Sequence, residues 1–148
     1  MATLDVIKEP MVGRFTVEVE LTNDADVLKL EEGVFKPEQV RKVIVSGMVD
    51  TGATRLILPQ SVAKTLGLKI VGNTTVQYAD RRRAVRPVAD RVRLTYGGRS
   101  GVFSAVIEPA RESALIGAIV LEELDLLVDP RNQRLIPRDP SGTISEVE

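Results

Sequence analysis

The sequence predicts an all-β domain with two short helices, and three features carry that prediction. A period-two alternation opens the chain at residues 14–22, two strand–turn–strand signals follow in the middle, and only two stretches have helical periodicity with helix-ending residues. At 148 residues the chain fits one domain with a core of its own. Residues 1–136 are expected to form it, with 137–148 as a flexible polar tail.

In "RFTVEVELT" (14–22), Phe15, Val17, Val19 and Leu21 share one face while Thr16, Glu18, Glu20 and Thr22 share the other, the mark of a half-buried strand. The acidic segment 23–38 is too long for a tight hairpin turn and reads as a surface loop. Residues 40–49, "VRKVIVSGMV", form a second strand that runs into Asp50, and "RLILP" (55–59) is a short third. In "PQSVAKTLG" (59–67) Pro59 suits a first helical turn, Val62, Ala63 and Leu66 share a face, and Gly67 is a C-terminal stop. Residues 74–79 and 83–88 flank the polar tip Asp80-Arg81-Arg82 as a hairpin, with Pro87 confining the second arm to an edge. Residues 90–108 form a second hairpin around Gly97-Gly98. Ser113 to Leu124 starts apolar, passes Gly117 and turns helical, and "LLVDPRNQRLIP" (126–137) closes as strand, turn and strand. An apolar strand, a glycine turn, a helix and another apolar strand thus occur around Gly52 and again around Gly117.

Composition narrows the chemistry. Aromatics are only 3% of residues, so the core must be aliphatic, and a net charge of −1 argues against a whole-domain nucleic-acid binder. With no cysteine and no histidine, thiol nucleophiles, serine–histidine triads and the usual zinc sites are excluded. Acid–base work is left to carboxylates, lysines and tyrosines, and neither a cofactor nor a metal is expected. "MATLDVIKEP" lacks the basic and apolar regions of a leader, and no apolar run is long enough to span a bilayer, so a cytoplasmic protein is expected.

One residue stands against its surroundings. In "VSGMVDTGATRLILP" (45–59), Asp50 is set in an apolar, strand-prone run. Removing a carboxylate from water is costly unless it is hydrogen-bonded, paired or protonated. Two such carboxylates brought together hold one proton between them, so one takes a proton from water while the other donates to a carbonyl. Gly52 permits the sharp turn such a site needs, Thr51 supplies a hydroxyl to stiffen it, and Met48-Val49 and Leu56-Ile57-Leu58 keep it dry.

Val49 to Ala53, "VDTGA", followed by Leu56-Ile57-Leu58, resembles the active-site segment of the retropepsin-like aspartic proteases. Leu115-Ile116-Gly117 before "AIVLEEL" is similar to that family's second glycine element, and the hairpin of 74–88 to its flap. Together these cover residues 14–136. The resemblance implies a retropepsin-like acid protease fold: a closed, orthogonal β-barrel-like lobe with two short helices. It implies an endopeptidase with Asp50 as catalytic residue and Thr51, Gly52 and Ala53 as active-site support. Tyr78, Ala79, Asp80, Arg81 and Arg82 would be the substrate-binding flap, and Leu115, Ile116 and Gly117 the second glycine element. With a single D-T-G in the chain, Asp50 would pair with Asp50 of a second copy, so the expected partners are the chain itself and a peptide or protein substrate. The segment 126–137 is the expected dimerisation element.

Plainer readings stand beside these. Asp50 alone would be a turn residue, and a retropepsin fold could serve as a catalytically silent peptide-binding or dimerisation module. Arg81, Arg82, Arg83, Arg86, Arg91 and Arg93 raise nucleic-acid binding, but Tyr78 is the only aromatic beside them, so a solvated hairpin is expected. Asp24, Asp26, Glu31 and Glu32 fit no calcium loop and read as a solvated acidic loop. Glu122 and Glu123 are placed on the wet side of their helix.

Overall fold

Strand β1 (Phe15–Asn23) does more than its alternation requires, because it joins the two ends of the sheet. A computed structural model describes residues 14–148; the N-terminal stretch read for a leader lies outside them. After β1 come helix α1 (Asp24–Glu31), a 3₁₀ turn (Pro37–Gln39), β2 (Lys42–Val49), β3 (Leu56–Pro59), α2 (Gln60–Leu66), β4 (Ile70–Gln77) and β5 (Arg83–Tyr96). The chain continues through β6 (Arg99–Glu108), β7 (Ala114–Ile116), α3 (Ala118–Leu124), β8 (Leu126–Asp129) and β9 (Arg134–Pro137).

The main sheet runs β1-β2-β7-β3-β6-β5-β4, and β1 also pairs with β5 from Glu20↔Thr95 to Asn23↔Val92. Six strands therefore close into a barrel, with β4 attached outside it on β5. Closure removes the two free edges that an open six-stranded sheet would present. The strands β2 and β7 pair in parallel, as do β3 and β6, so β7 threads between the strands on either side of Asp50. Strands β8 and β9 form a separate hairpin.

The interior is aliphatic, as the aromatic content demands. Leu21, Leu56, Leu58, Leu66, Leu94, Ile116 and Leu124 are almost wholly buried, each worth about 1.5–3 kcal/mol against exposure. Phe15 and Phe103 add rings to the core, and Tyr96 packs against it. Helix α2 ends as the sequence predicts: Gly67 has φ +61° and takes the left-handed cap that closes the helix. Gly97 and Gly98 also have positive φ, which gives the β5–β6 hairpin its two-residue turn.

Four expectations need correction. The described residues form three α-helices where two were expected, because 23–38 is not a loop: Asn23 caps α1 by accepting from the Asp26 N–H at 3.1 Å. Asp24 and Asp26 are not solvated but buried, salt-bridged to Arg93 at 2.7 Å and Arg41 at 2.8 Å; Glu31 and Glu32 are exposed. The arms 83–88 and 90–96 are one strand, β5, bent by an irregularity between Ala89 and Val92 where Arg91 takes φ +58°. Pairing of β5 with β6 begins only at Val88, so Pro87 lies beside β4 alone, which is how a proline fits a strand that is central elsewhere. Finally, the polar tail is tied back: Asp125 accepts from Arg138 Nε at 2.7 Å and from the Ile144 N–H at 2.9 Å.

Candidate active site

Asp50 is the first residue beyond β2, and its position is fixed by backbone bonds. Its N–H donates to the Ile116 carbonyl of β7 at 3.0 Å, and its carbonyl accepts from the Ala53 N–H at 3.2 Å, which closes the turn. Oδ1 accepts from the Gly52 N–H at 2.9 Å. Oδ2 lies 3.3 Å from Arg14 Nη2, and the side chain is 13% exposed. The plain turn-residue geometry is therefore present, but it engages only one of the two oxygens.

The second glycine element braces this loop. The N–H groups of Ala118 and Ile119, at the start of α3, donate to the carbonyls of Ala53 at 2.8 Å and Thr54 at 3.0 Å. Such a contact needs backbone on backbone, and Gly117 provides it: a Cβ there would lie 2.5 Å from the Arg55 carbonyl oxygen and 2.8 Å from that of Ala53. Leu115 and Ile116 are buried core residues, while Thr51 and Gly52 are exposed and Ala53 is half-buried. The apolar frame thus hides the backbone of the loop and leaves its tip open.

The hairpin of β4 and β5 turns through Tyr78–Arg82, where the Tyr78 N–H donates to Arg82 O and the Arg81 N–H to Tyr78 O, both at 2.9 Å. Ala79, Asp80, Arg81 and Arg82 are exposed; Asp80 pairs with Arg82 at 2.9 Å, and the Arg82 guanidinium lies 5.0 Å from the Tyr78 ring centre. The hydrogen bond from Arg82 holds the Asp80 carboxyl below the usual carboxylate range. Tyr78 is half-buried and donates its hydroxyl to Glu108 Oε2 at 2.6 Å. Among the described residues Asp50 is bonded to the Gly117 element, and no hydrogen bond or ion pair joins it to this hairpin.

Arg14 and Glu108 carry no functional signal in the sequence. Neither sits in a recognisable pattern, and each meets its partner only through strand pairing. Among the described residues no three His, Cys, Asp or Glu side chains gather to hold a metal, and no helix is long and apolar enough to cross a membrane.

A family model described as gag-polyprotein putative aspartyl protease matches residues 38–123, more than half of the chain, from the approach to β2 through α3. The chain belongs to this family of retropepsin-like aspartic proteases. The match spans both glycine elements and the hairpin between them. Among solved structures, EIAV protease complexed with the inhibitor HBY-793 is similar at 16% identity and a TM-score of 0.54, covering 75% of this chain and 88% of that one. A solution structure of simian foamy virus (mac) protease is similar at 12% identity and a TM-score of 0.46, covering 72% and 91%. At such identity the likeness to EIAV protease is one of fold: this chain's closed barrel, with its short helices, has the retroviral protease fold. No curated protein matches the sequence.

Proposed function

We propose that this chain is an aspartic endopeptidase that acts as a homodimer, with Asp50 of each subunit facing the other across a two-fold axis. The observation that carries this reading is the state of Asp50: a rigidly braced carboxylate at the end of a barrel strand, on a loop whose tip, Thr51-Gly52, is exposed. One lobe supplies one such carboxylate, and the paired-carboxylate chemistry of the family needs two.

In the dimer the two Asp50 carboxylates share one proton. The ionised member takes a proton from a water molecule as the water oxygen attacks the peptide carbonyl, and the protonated member donates to the carbonyl oxygen. The tetrahedral intermediate then collapses: the proton taken from water passes to the departing amine, and a hydroxyl of the intermediate returns its proton to the other carboxylate as the carbonyl re-forms. Thr51 stiffens the facing loops, and Gly52 and Ala53 leave room for the substrate backbone. The substrate lies extended like an added strand, covered by the hairpin around Tyr78–Arg82.

The deciding experiment is incubation of the protein and its Asp50→Asn variant with a diverse peptide pool, the products being read by mass spectrometry. Cleavage by the wild type alone, with both proteins showing the same circular dichroism, is expected. Equal cleavage by the variant removes Asp50 from the chemistry.

A further inference from the structure

The hairpin that the proposed function treats as a flap has an anchor of its own. Strand β4 pairs with β5 alone, and β5 leaves β6 beyond the Val88↔Val106 pair. From there outward the hairpin has no backbone partner in the barrel among the described residues, and Val85 on its outer part is 63% exposed. Continuing the Val88↔Val106 register by two residues sets Arg86 opposite Glu108. Their backbones no longer pair, but their side chains do, Arg86 Nε donating to Glu108 Oε1 at 2.5 Å. Tyr78, from the other arm, donates to Glu108 Oε2 at 2.6 Å, and Arg86 Nε also reaches the Tyr78 hydroxyl at 3.2 Å.

Both arms of the hairpin therefore converge on one carboxylate. Glu108 is itself part of the barrel: it ends β6, is paired in register with Pro59 of β3, and is only 8% exposed. A buried carboxylate holds its donors strongly, because releasing them leaves it without compensation for lost hydration. We propose that Glu108 is a flap-positioning residue, a latch on the barrel that holds the hairpin down through Tyr78 and Arg86 and must be released for the hairpin to rise. That this movement admits substrate rests on the proposed function; the latch itself does not.

Hydrogen exchange tests it without reference to cleavage. The measurement uses the full chain in an Asp50→Asn background and compares it with Tyr78→Phe, Glu108→Gln and Glu108→Ala. Amides of residues 72–86 are expected to exchange about tenfold faster in Tyr78→Phe, while those of β1, β2 and β6 are unchanged. Glu108→Gln keeps an acceptor but loses the charge, so its acceleration should fall between the parent and Glu108→Ala. Adding Tyr78→Phe to Glu108→Ala should add little, since the Tyr78–Glu108 bond is already gone and only the Arg86–Tyr78 contact within the hairpin is left to lose. Unchanged hairpin exchange in Tyr78→Phe, or an acceleration spread equally over the barrel, overturns the latch. Tyr78→Phe retains the ring and decides the matter even if a Glu108 variant fails to fold. Equal cleavage by wild type and Asp50→Asn would leave this result untouched, so the two proposals fail separately.

Discussion

Single residues in this protein answer to their immediate neighbours. Gly117 is the clearest case: any side chain meets the backbone of Thr54 and Arg55, which cannot step aside without moving the Asp50 loop. Gly117→Ala is expected to cost about 1–3 kcal/mol in urea unfolding and to abolish peptide cleavage, since overpacking against backbone is relieved only by displacing it. Retention of full activity by Gly117→Ala would show that the loop tolerates the shift. Asp50→Asn differs in kind, keeping shape and losing charge. Its unfolding free energy should stay within about 1 kcal/mol of wild type while turnover disappears.

At the scale of elements, α1 is held by polar contacts made where β1 ends. Asp26 is fully buried and accepts from Arg41 three times: Nε at 2.8 Å, the backbone N–H at 3.0 Å and Nη2 at 3.0 Å. Asn23 adds a bond to the Leu66 carbonyl at 2.8 Å, linking α1 to the end of α2. The guanidinium hydrogen bond from Arg41 holds the Asp26 carboxyl below its usual value, against the opposing effect of burial. A carboxyl lowered on folding contributes stability above its unfolded value, about 3.9, and loses it as pH falls through the lower folded value. Asp26→Asn should therefore cost about 1–3 kcal/mol at pH 7, with the gap to wild type closing below about pH 4. Urea titrations at pH 7 and pH 3 check this, and an equal gap at both would remove Asp26 from the acid response.

For the whole molecule the expected unit is two chains. If each active site takes one Asp50 from each subunit, specific activity should fall on dilution in step with the dimer fraction measured by sedimentation. Mixing equal amounts of wild-type and Asp50→Asn chains at dimer-saturating concentration should leave about half the activity that the wild-type chains have alone, because half of them sit in mixed pairs. Full retention would mean that subunits do not share a site. The exposed Leu127, which pairs in register with Ile136 on the β8–β9 hairpin, keeps that segment a candidate for the subunit contact.

The sequence by itself determined the β class, nearly every strand, the hairpin turns at Gly97-Gly98 and Asp129, and the Asp50 loop and the Gly117 element as two separate local signals. These are local: alternation, turn residues and a short segment with its own chemistry leave their mark within ten or so neighbours. What only the tertiary structure decided lies between distant segments. Asp24 and Asp26 look solvated because an acidic, turn-prone stretch gives no sign that Arg93 and Arg41 will cover it. The closure of β1 on β5, the continuity of β5 past Pro87, and the convergence of Tyr78 and Arg86 on Glu108 depend on strand register. Register is set by how whole strands pack, and no short stretch of sequence carries it.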